Sequence, residues 1–447
     1  MLRGLPMNLQ KWFHRTALVS GLFLSMSWNV QGAVSLGIDQ IEKSNFALLQ
    51  GQRVGLITNP SGVDSKGRSA IDVFYQGQGT VFKLVKLFGP EHGIDGKTEA
   101  GKHVDSGRDP RTKLPVCSLY GDTRRPTPQM LQGIDTLVYD VQDLGNRSYT
   151  FISTLGYVMD EASKHNIEVV VLDRPNPLGG IRIEGPRLDP TVQSFVGLYD
   201  IPYIYGLTPG ELAKWINANY LTKPCKLTFV KMTGWNRRMV WEDTGLHWVP
   251  TSPNIPTIGA ARGYTATGFL GEIGIESGIG SPVPFQVVSG TDWDTSDLAR
   301  RFNALHIPGV HASSYRYRTE KGHWAGASYS GVYLQIDPRN AGNLTAISFQ
   351  AIEILERAVD HFSPFARTSA DQRSMFDKVT GNPNLRRQLA AGRPVSDIVH
   401  SWDQGVARWA QERLPYLLYS TNPTPAQETN VIATSGNANK DASGTAP

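Results

Sequence analysis

Residues Phe82 to Gly96 read FKLVKLFGPEHGIDG, an apolar, β-favouring run that stops at Gly89-Pro90 and delivers Glu91 and His92 side by side. A strand that ends in a Gly-Pro turn and presents an acid beside an imidazole has the form of an active-site loop in an open α/β sheet. Taken alone, the stretch reads equally well as a surface loop with two solvated polar residues. Later strands end in the same way, and in order the strand ends are Asn59, then Glu91 and His92, then Asp140 and Asp143 with Arg147, then Asp173, Arg174 and Asn176. Paired carboxylates with arginine nearby suit general acid/base or nucleophilic work on a neutral, oxygen-rich substrate such as a sugar. Glu91 has the best claim, because the Gly-Pro turn presents it and His92 is placed to hold it or to bind substrate. Asp140 also reads as a buried hydrogen-bonding residue, and Asp173 and Arg174, ahead of Pro175, also read as a pair occupied with each other.

Other chemistries find less support. No GxGxxG follows the first strand, no GxxxxGK[ST] marks a phosphate loop and no GxSxG forms a nucleophile elbow. His92 and His103 match no standard ligand spacing, so neither metal nor cofactor is expected. A net charge of +4 over 447 residues, without a dense Lys/Arg run beyond the N-terminus, argues against nucleic acid and against an electrostatic membrane surface. Lys11 and Arg15, the apolar run Ala17 to Trp28 and the small residues Gly32 and Ala33 follow the order of a secretory signal peptide over 1–33. That run is shorter than the ~20 residues of a membrane span. Cleavage near Gly32 or Ala33, a periplasmic or secreted protein and no membrane attachment are expected. Cys117 and Cys225 read as buried thiols rather than a disulfide.

The elements that must position these residues alternate. RVGLIT (Arg53 to Thr58), Phe82 to Phe88, TLVYDV (Thr136 to Val141), EVVVL (Glu168 to Leu172) and KLTFVKM (Lys226 to Met232) read as strands. Helices fall between them, one with Phe151, Leu155, Val158, Met159 and Ala162 on one face, another opening at Thr208-Pro209-Gly210-Glu211 with a capping box. Continuously apolar strands separated by helices imply a doubly wound parallel sheet over 36–250. The long segments Gly89 to Pro128 and Arg174 to Gly206 read as walls or lids flanking one crevice. Pro-rich text at Trp248 to Gly259 ends this domain, and a smaller α/β domain is expected over 258–420, with helices at Ser296–Leu305, Leu344–His361 and Val395–Arg413. Residues 421–447, poor in apolar side chains, read as a disordered tail.

The blocks GPEHGIDG, LPVCSLYG (Leu114 to Gly121), PTPQML (Pro126 to Leu131), YDVQDLGNRSYTFI (Tyr139 to Ile152), VVLDRPNPLGG (Val170 to Gly180), IEGPRL (Ile183 to Leu188), SFVG (Ser194 to Gly197) and LTPGELA (Leu207 to Ala213) together resemble the exo-β-N-acetylmuramidase family. These are peptidoglycan-recycling glycosidases long catalogued as a domain of unknown function. The resemblance runs to about Leu418. It implies a Rossmann-like N-terminal domain, a smaller C-terminal α/β domain with the site in the cleft between them, and no cofactor. It also implies release of N-acetylmuramic acid from the non-reducing end of peptidoglycan-derived muropeptides or disaccharides.

By motif position Glu91 becomes the general acid, and His92, Asp143, Arg147, Tyr149, Arg174 and Asn176 join the site. The chain departs from the family pattern at Tyr205, where many relatives have histidine, and at Glu276-Ser277-Gly278-Ile279-Gly280, where many read Ser-Glu-Gly-Arg-Gly. The second carboxylate is assigned to Asp143, ahead of Glu276, shifted by one residue, and Glu184, on a loop suited to a lid. Assistance by the substrate's own N-acetyl group is the reserve mechanism. Arg147 is assigned the lactyl carboxylate of muramic acid, Arg174 being taken up by Asp173. A periplasmic sugar- or muropeptide-binding protein and an exo-β-N-acetylglucosaminidase are the alternatives.

Overall fold

The structure, a computed structural model, describes residues 33–320, 325–366, 368–422 and 432–434. The expected signal peptide lies outside the described residues except for Ala33. The strands are β1 (Arg53–Thr58), β2 (Lys83–Gly89), β3 (Gly107–Arg108), β4 (Pro115–Ser118), β5 (Thr136–Asp140), β6 (Glu168–Leu172), β7 (Leu227–Val230), β8 (Val287–Gly290), β9 (Val310–Arg318), β10 (Ser328–Ile336) and β11 (Ile432–Thr434). The larger sheet has the order β11-β7-β6-β5-β1-β2-β4-β3, parallel from β7 to β4 and antiparallel at the two edges.

Side chains alternate across this sheet because successive residues of a strand face opposite ways. Leu137, Tyr139, Val169, Val171, Leu227 and Phe229 join one core with the helix Phe151–Lys164 and the helix Pro209–Asn219. Val54, Leu56, Val138, Val170, Leu172 and Val230 join the other, with the helices Gly37–Lys43 and Ala70–Gly77. The strands are therefore buried on both faces, as their unbroken apolar sequence requires. The chain winds outward from β1 through β2 to β4, then returns to lay β5 on the other side of β1. That reversal opens a crevice at the carboxyl ends of β1 and β5.

The second unit is an antiparallel sheet, β8-β10-β9, with its own core. Ile347, Ala351, Ile352 and Leu355 of the helix Leu344–Ala358 contribute the expected apolar face. The two units interlock more than the sequence implied. Leu178, Tyr203 and Ile204, from the segment after β6, enter the second core. In return Trp409, on the helix Asp403–Glu412, is fully buried in the first, where its ring lies 5.0 Å from Trp215 and its indole N–H donates to the Tyr205 carbonyl at 2.8 Å. The described residues from Ala33 onward accordingly form one compact unit.

Three expectations are corrected. The segment Gly89 to Pro128 is not all loop, since it carries β3 and β4; β4 is four residues long and half-buried, too short and too near the edge for an apolar run. The last expected helix is two, Val395–His400 and Asp403–Glu412, parted where Trp402 turns into the core. The tail is not wholly without structure, because β11 pairs with the otherwise open edge of β7. Cys117 and Cys225 are free.

Replacing the fully buried Trp409 with alanine should lower unfolding free energy by roughly 3–5 kcal/mol. Urea unfolding checks this, and a change below ~1 kcal/mol would show that the C-terminal helix is not part of the first core.

Candidate active site

The backbone turns sharply as β2 ends. His92 has φ of +71° and Gly93 of +80°, with the Gly93 N–H donating to the Pro90 carbonyl at 3.0 Å. This left-handed pair brings Glu91 to the carboxyl edge with 8% of its surface exposed. Its Oε1 accepts the Gly101 N–H at 2.8 Å and its Oε2 the Thr150 hydroxyl at 2.5 Å. Thr150 stands at the N-cap position of the 14-residue helix Phe151–Lys164 but makes no side-chain cap. Its hydroxyl is spent on Glu91 instead. The Tyr120 phenol, delivered just past β4, lies within electrostatic reach of the same carboxylate; burial first and the Glu91 charge second push it up to about 12.

Tyrosines from both units pack along this edge. Tyr264, on the helix Ile258–Thr267, shares a 2.9 Å hydrogen bond with Ser148 and lies within electrostatic reach of both Glu91 and Asp143. Its ring meets Tyr149 edge-on at 5.8 Å and Phe285 at 5.0 Å. The Tyr149 hydroxyl shares a 2.7 Å bond with Thr251. The long segments after β2 and β6 touch where Phe195 approaches Tyr120, at 5.8 Å between ring centroids. His92 Nδ1 lies 2.7 Å from the Thr98 carbonyl, which can only accept, so Nδ1 carries the proton.

Glu91 and His92 thus share one turn, and Tyr149 is linked to it only as the neighbour of Thr150 and through its ring contact with Tyr264. Most of the remaining candidates hold the frame. Asn59 ties the end of β1 to the Pro-rich linker, its Oδ1 accepting from Ser61 and its amide donating to the Thr251 carbonyl at 3.3 Å. Asp140 receives the Arg174 guanidinium through two bonds of 2.7 and 2.8 Å, while Asp173 takes only the Arg174 backbone N–H, at 3.0 Å. Asp173 also accepts from Thr208, the Gly210 N–H and Tyr419. Asn176 shapes its own turn, accepting from the Leu178 N–H and donating to the Leu207 carbonyl.

Arg147 is corrected from a substrate cation to a buried tie. Its side chain is inaccessible and donates to the carbonyls of Pro186, Ile201, Val379 and Thr380, which joins the two units; burial pushes its guanidinium down to about 10. Asp143 is corrected too. Its Oδ2 accepts the Tyr205 hydroxyl and the Gly145 N–H, its Oδ1 is buried without a partner, and burial pushes the carboxyl up to about 6. Enclosed in this way, it does not reach a sugar or an attacking water. Tyr205 itself is buried by that bond. Glu184 is no mobile lid, for it pairs with Arg182 and accepts the Thr345 N–H in the first turn of the helix Leu344–Ala358. Glu276 pairs with Ser289 and lines a separate cavity of about 750 Å³ whose walls all come from residues 273–372. Among the described residues no group of three or more His, Cys, Asp and Glu is arranged to hold a metal.

Strand-end reading missed Tyr120, Thr150, Phe195 and Tyr264. Thr150 had a usable signal, a threonine directly before a helix-periodic run.

A doubly wound sheet with one hydrogen-bonded carboxylate among tyrosines at its carboxyl edge defines an α/β protein built to handle an oxygen-rich ring compound. The chain belongs to the exo-β-N-acetylmuramidase NamZ family, whose N-terminal model matches residues 54–259 and whose C-terminal model matches 262–419. It is 38% identical over 386 residues to the peptidoglycan β-N-acetylmuramidase NamZ of Bacillus subtilis strain 168, covering 86% of this chain and 91% of that protein. A crystal structure of a DUF1343 family protein from Bacteroides fragilis is 40% identical, with a TM-score of 0.80 over 87% of this chain and 99% of its own. A second from the same organism, at 24% identity and a TM-score of 0.65 over 88% of this chain and all of its own, shares the fold.

Arg147→Met should lower the urea midpoint sharply, because it strands buried carbonyls at about 1–3 kcal/mol each. Its preference for muramide over glucosaminide should match the wild type in the folded fraction. A stable variant with an altered preference would return Arg147 to the substrate site.

Proposed function

We propose that this chain is an exo-acting glycoside hydrolase that releases terminal N-acetylmuramic acid from the non-reducing end of peptidoglycan-derived muropeptides or disaccharides, with Glu91 as the proton donor. The observation that carries this is the Glu91 environment. One of its two hydrogen-bond partners, Thr150, is a hydroxyl, which can donate to a carboxylate or accept from a carboxylic acid by rotating. The Gly101 N–H keeps the group aimed in both states. A residue that gives up a proton in one step and takes one back in the next needs such partners.

The enclosure of Asp143, the helix-end position of Glu184 and the separate cavity of Glu276 favour the substrate's own acetamido oxygen as nucleophile. Glu91 protonates the leaving glycosidic oxygen as the C1–O bond breaks and the acetamido oxygen bonds to C1, giving a cyclic oxazolinium ion. Water then attacks C1, gives its proton to Glu91 and reopens the ring, so configuration is retained. The charge, apolar run and small residues of the first 33 positions support export to the periplasm or beyond, where such fragments arise. A mature protein beginning near Gly32 or Ala33 by intact mass would accord with export; an uncut Met1 start in the cells that make it would exclude cleavage.

Defined muramyl-glucosamine disaccharide should give free N-acetylmuramic acid by mass, formed first as the β anomer by proton NMR. Glu91→Gln should remain folded and lose about 10²-fold or more in rate. An intact disaccharide after prolonged incubation would favour the binding-protein alternative, and a folded, comparably active Glu91→Gln would place the acid elsewhere.

A further inference from the structure

What separates muramic acid from glucosamine is a lactyl carboxylate, and a guanidinium meets a carboxylate best through two parallel N–H bonds. With Arg147 and Arg174 enclosed and occupied, that role needs another cation. Arg125 is bound to Asp160 and Glu161 at 2.5 and 3.0 Å, and Arg262 is bound to Glu242. Arg124 is different. It is exposed, and among the described residues it has no carboxylate partner. Its guanidinium lies over two aromatic faces, 4.8 Å from the Tyr120 ring centroid and 4.6 Å from that of Phe195. A guanidinium stacked on rings has its plane fixed while its N–H edge stays free.

Its position relative to the acid is also suited. The Leu119 N–H donates to the Gly89 carbonyl at 2.8 Å, which sets Tyr120, and the Arg124 guanidinium over its ring, beside the turn that carries Glu91. The backbone beneath is braced, since the Thr123 hydroxyl bonds both the carbonyl and the N–H of Arg125, and Arg125 in turn lies 3.9 Å over the Tyr157 ring.

We propose that Arg124 binds the lactyl carboxylate of the terminal muramic acid and sets the preference for muramide over glucosaminide. The assignment rests on the hydrolase reading above. Its test compares wild type, Arg124→Met and Arg124→Lys on 4-nitrophenyl β-N-acetylmuramide and on the methyl ester of the same muramide. Thermal unfolding of each variant serves as the check on folding. Wild type should favour the acid over the ester by roughly 10- to 100-fold in kcat/KM, the range for hydrogen bonds to a charged group. In Arg124→Met that ratio should fall to near one, with lysine between. A folded Arg124→Met that keeps the wild-type ratio overturns the proposal, as does a wild type indifferent to esterification. A wild type inactive on both compounds overturns the hydrolase reading and this assignment with it, and is told apart by the absence of any turnover.

Discussion

The bond from the Thr150 hydroxyl to Glu91 spans the point where the sheet reverses direction. Glu91 follows β2 and Thr150 follows β5, and β1 lies between those strands. The bond forms only if the outward winding through β2 and the return to β5 place both loops on one edge. A carboxylate that is nearly buried needs donors, and here they come from two separate segments: Thr150 at a helix N-terminus and Gly101 in the loop after β2. Each hydrogen bond to such a charge contributes on the order of 1.5–3 kcal/mol. The order of three strands, β5, β1 and β2, is therefore coupled to the aim of one side chain.

The rest of the charged inventory at this edge serves the frame. Arg174 pairs with Asp140 between the ends of β5 and β6, and Arg237 pairs at 2.5 Å with Glu211 in the first turn of the helix that opens at Thr208. Asp173 gathers Thr208, Gly210 and Tyr419 from distant parts of the chain. Pairs this deep contribute little net stability against an apolar replacement, yet losing one partner is severe. They specify which loops lie beside which. Arg147 does the same with carbonyls in place of carboxylates, drawing residues 186, 201, 379 and 380 onto one guanidinium.

The parallel strands were legible because burial on both faces leaves an unbroken apolar run; β1 and β6 begin and end as read. The helix at Thr208 was legible because capping chemistry is local, and its box forms with Glu211. β4 and β9 were not. The first is short, and the second, VHASSYRYR, is largely polar because much of it faces solvent, so neither carries the apolar signal. At the site, sequence could show that Glu91 was presented but not which polar neighbours were spent internally. Asp143 and Glu91 look alike as letters. Only the enclosure of one by Tyr205 and Gly145 separates them, and Tyr205 is 62 residues away from its partner. Tyr264 lies further along still and belongs to the other unit, out of reach of any local pattern.

The most direct test of the central claim, that Glu91 is the group facing the scissile bond, is a crystal structure of the Glu91→Gln protein with muramyl-glucosamine disaccharide bound. The side chain of residue 91 should lie about 3 Å from the glycosidic oxygen, within hydrogen-bonding range. A disaccharide seated instead in the cavity beside Glu276 and His361, with residue 91 remote from it, would contradict the account.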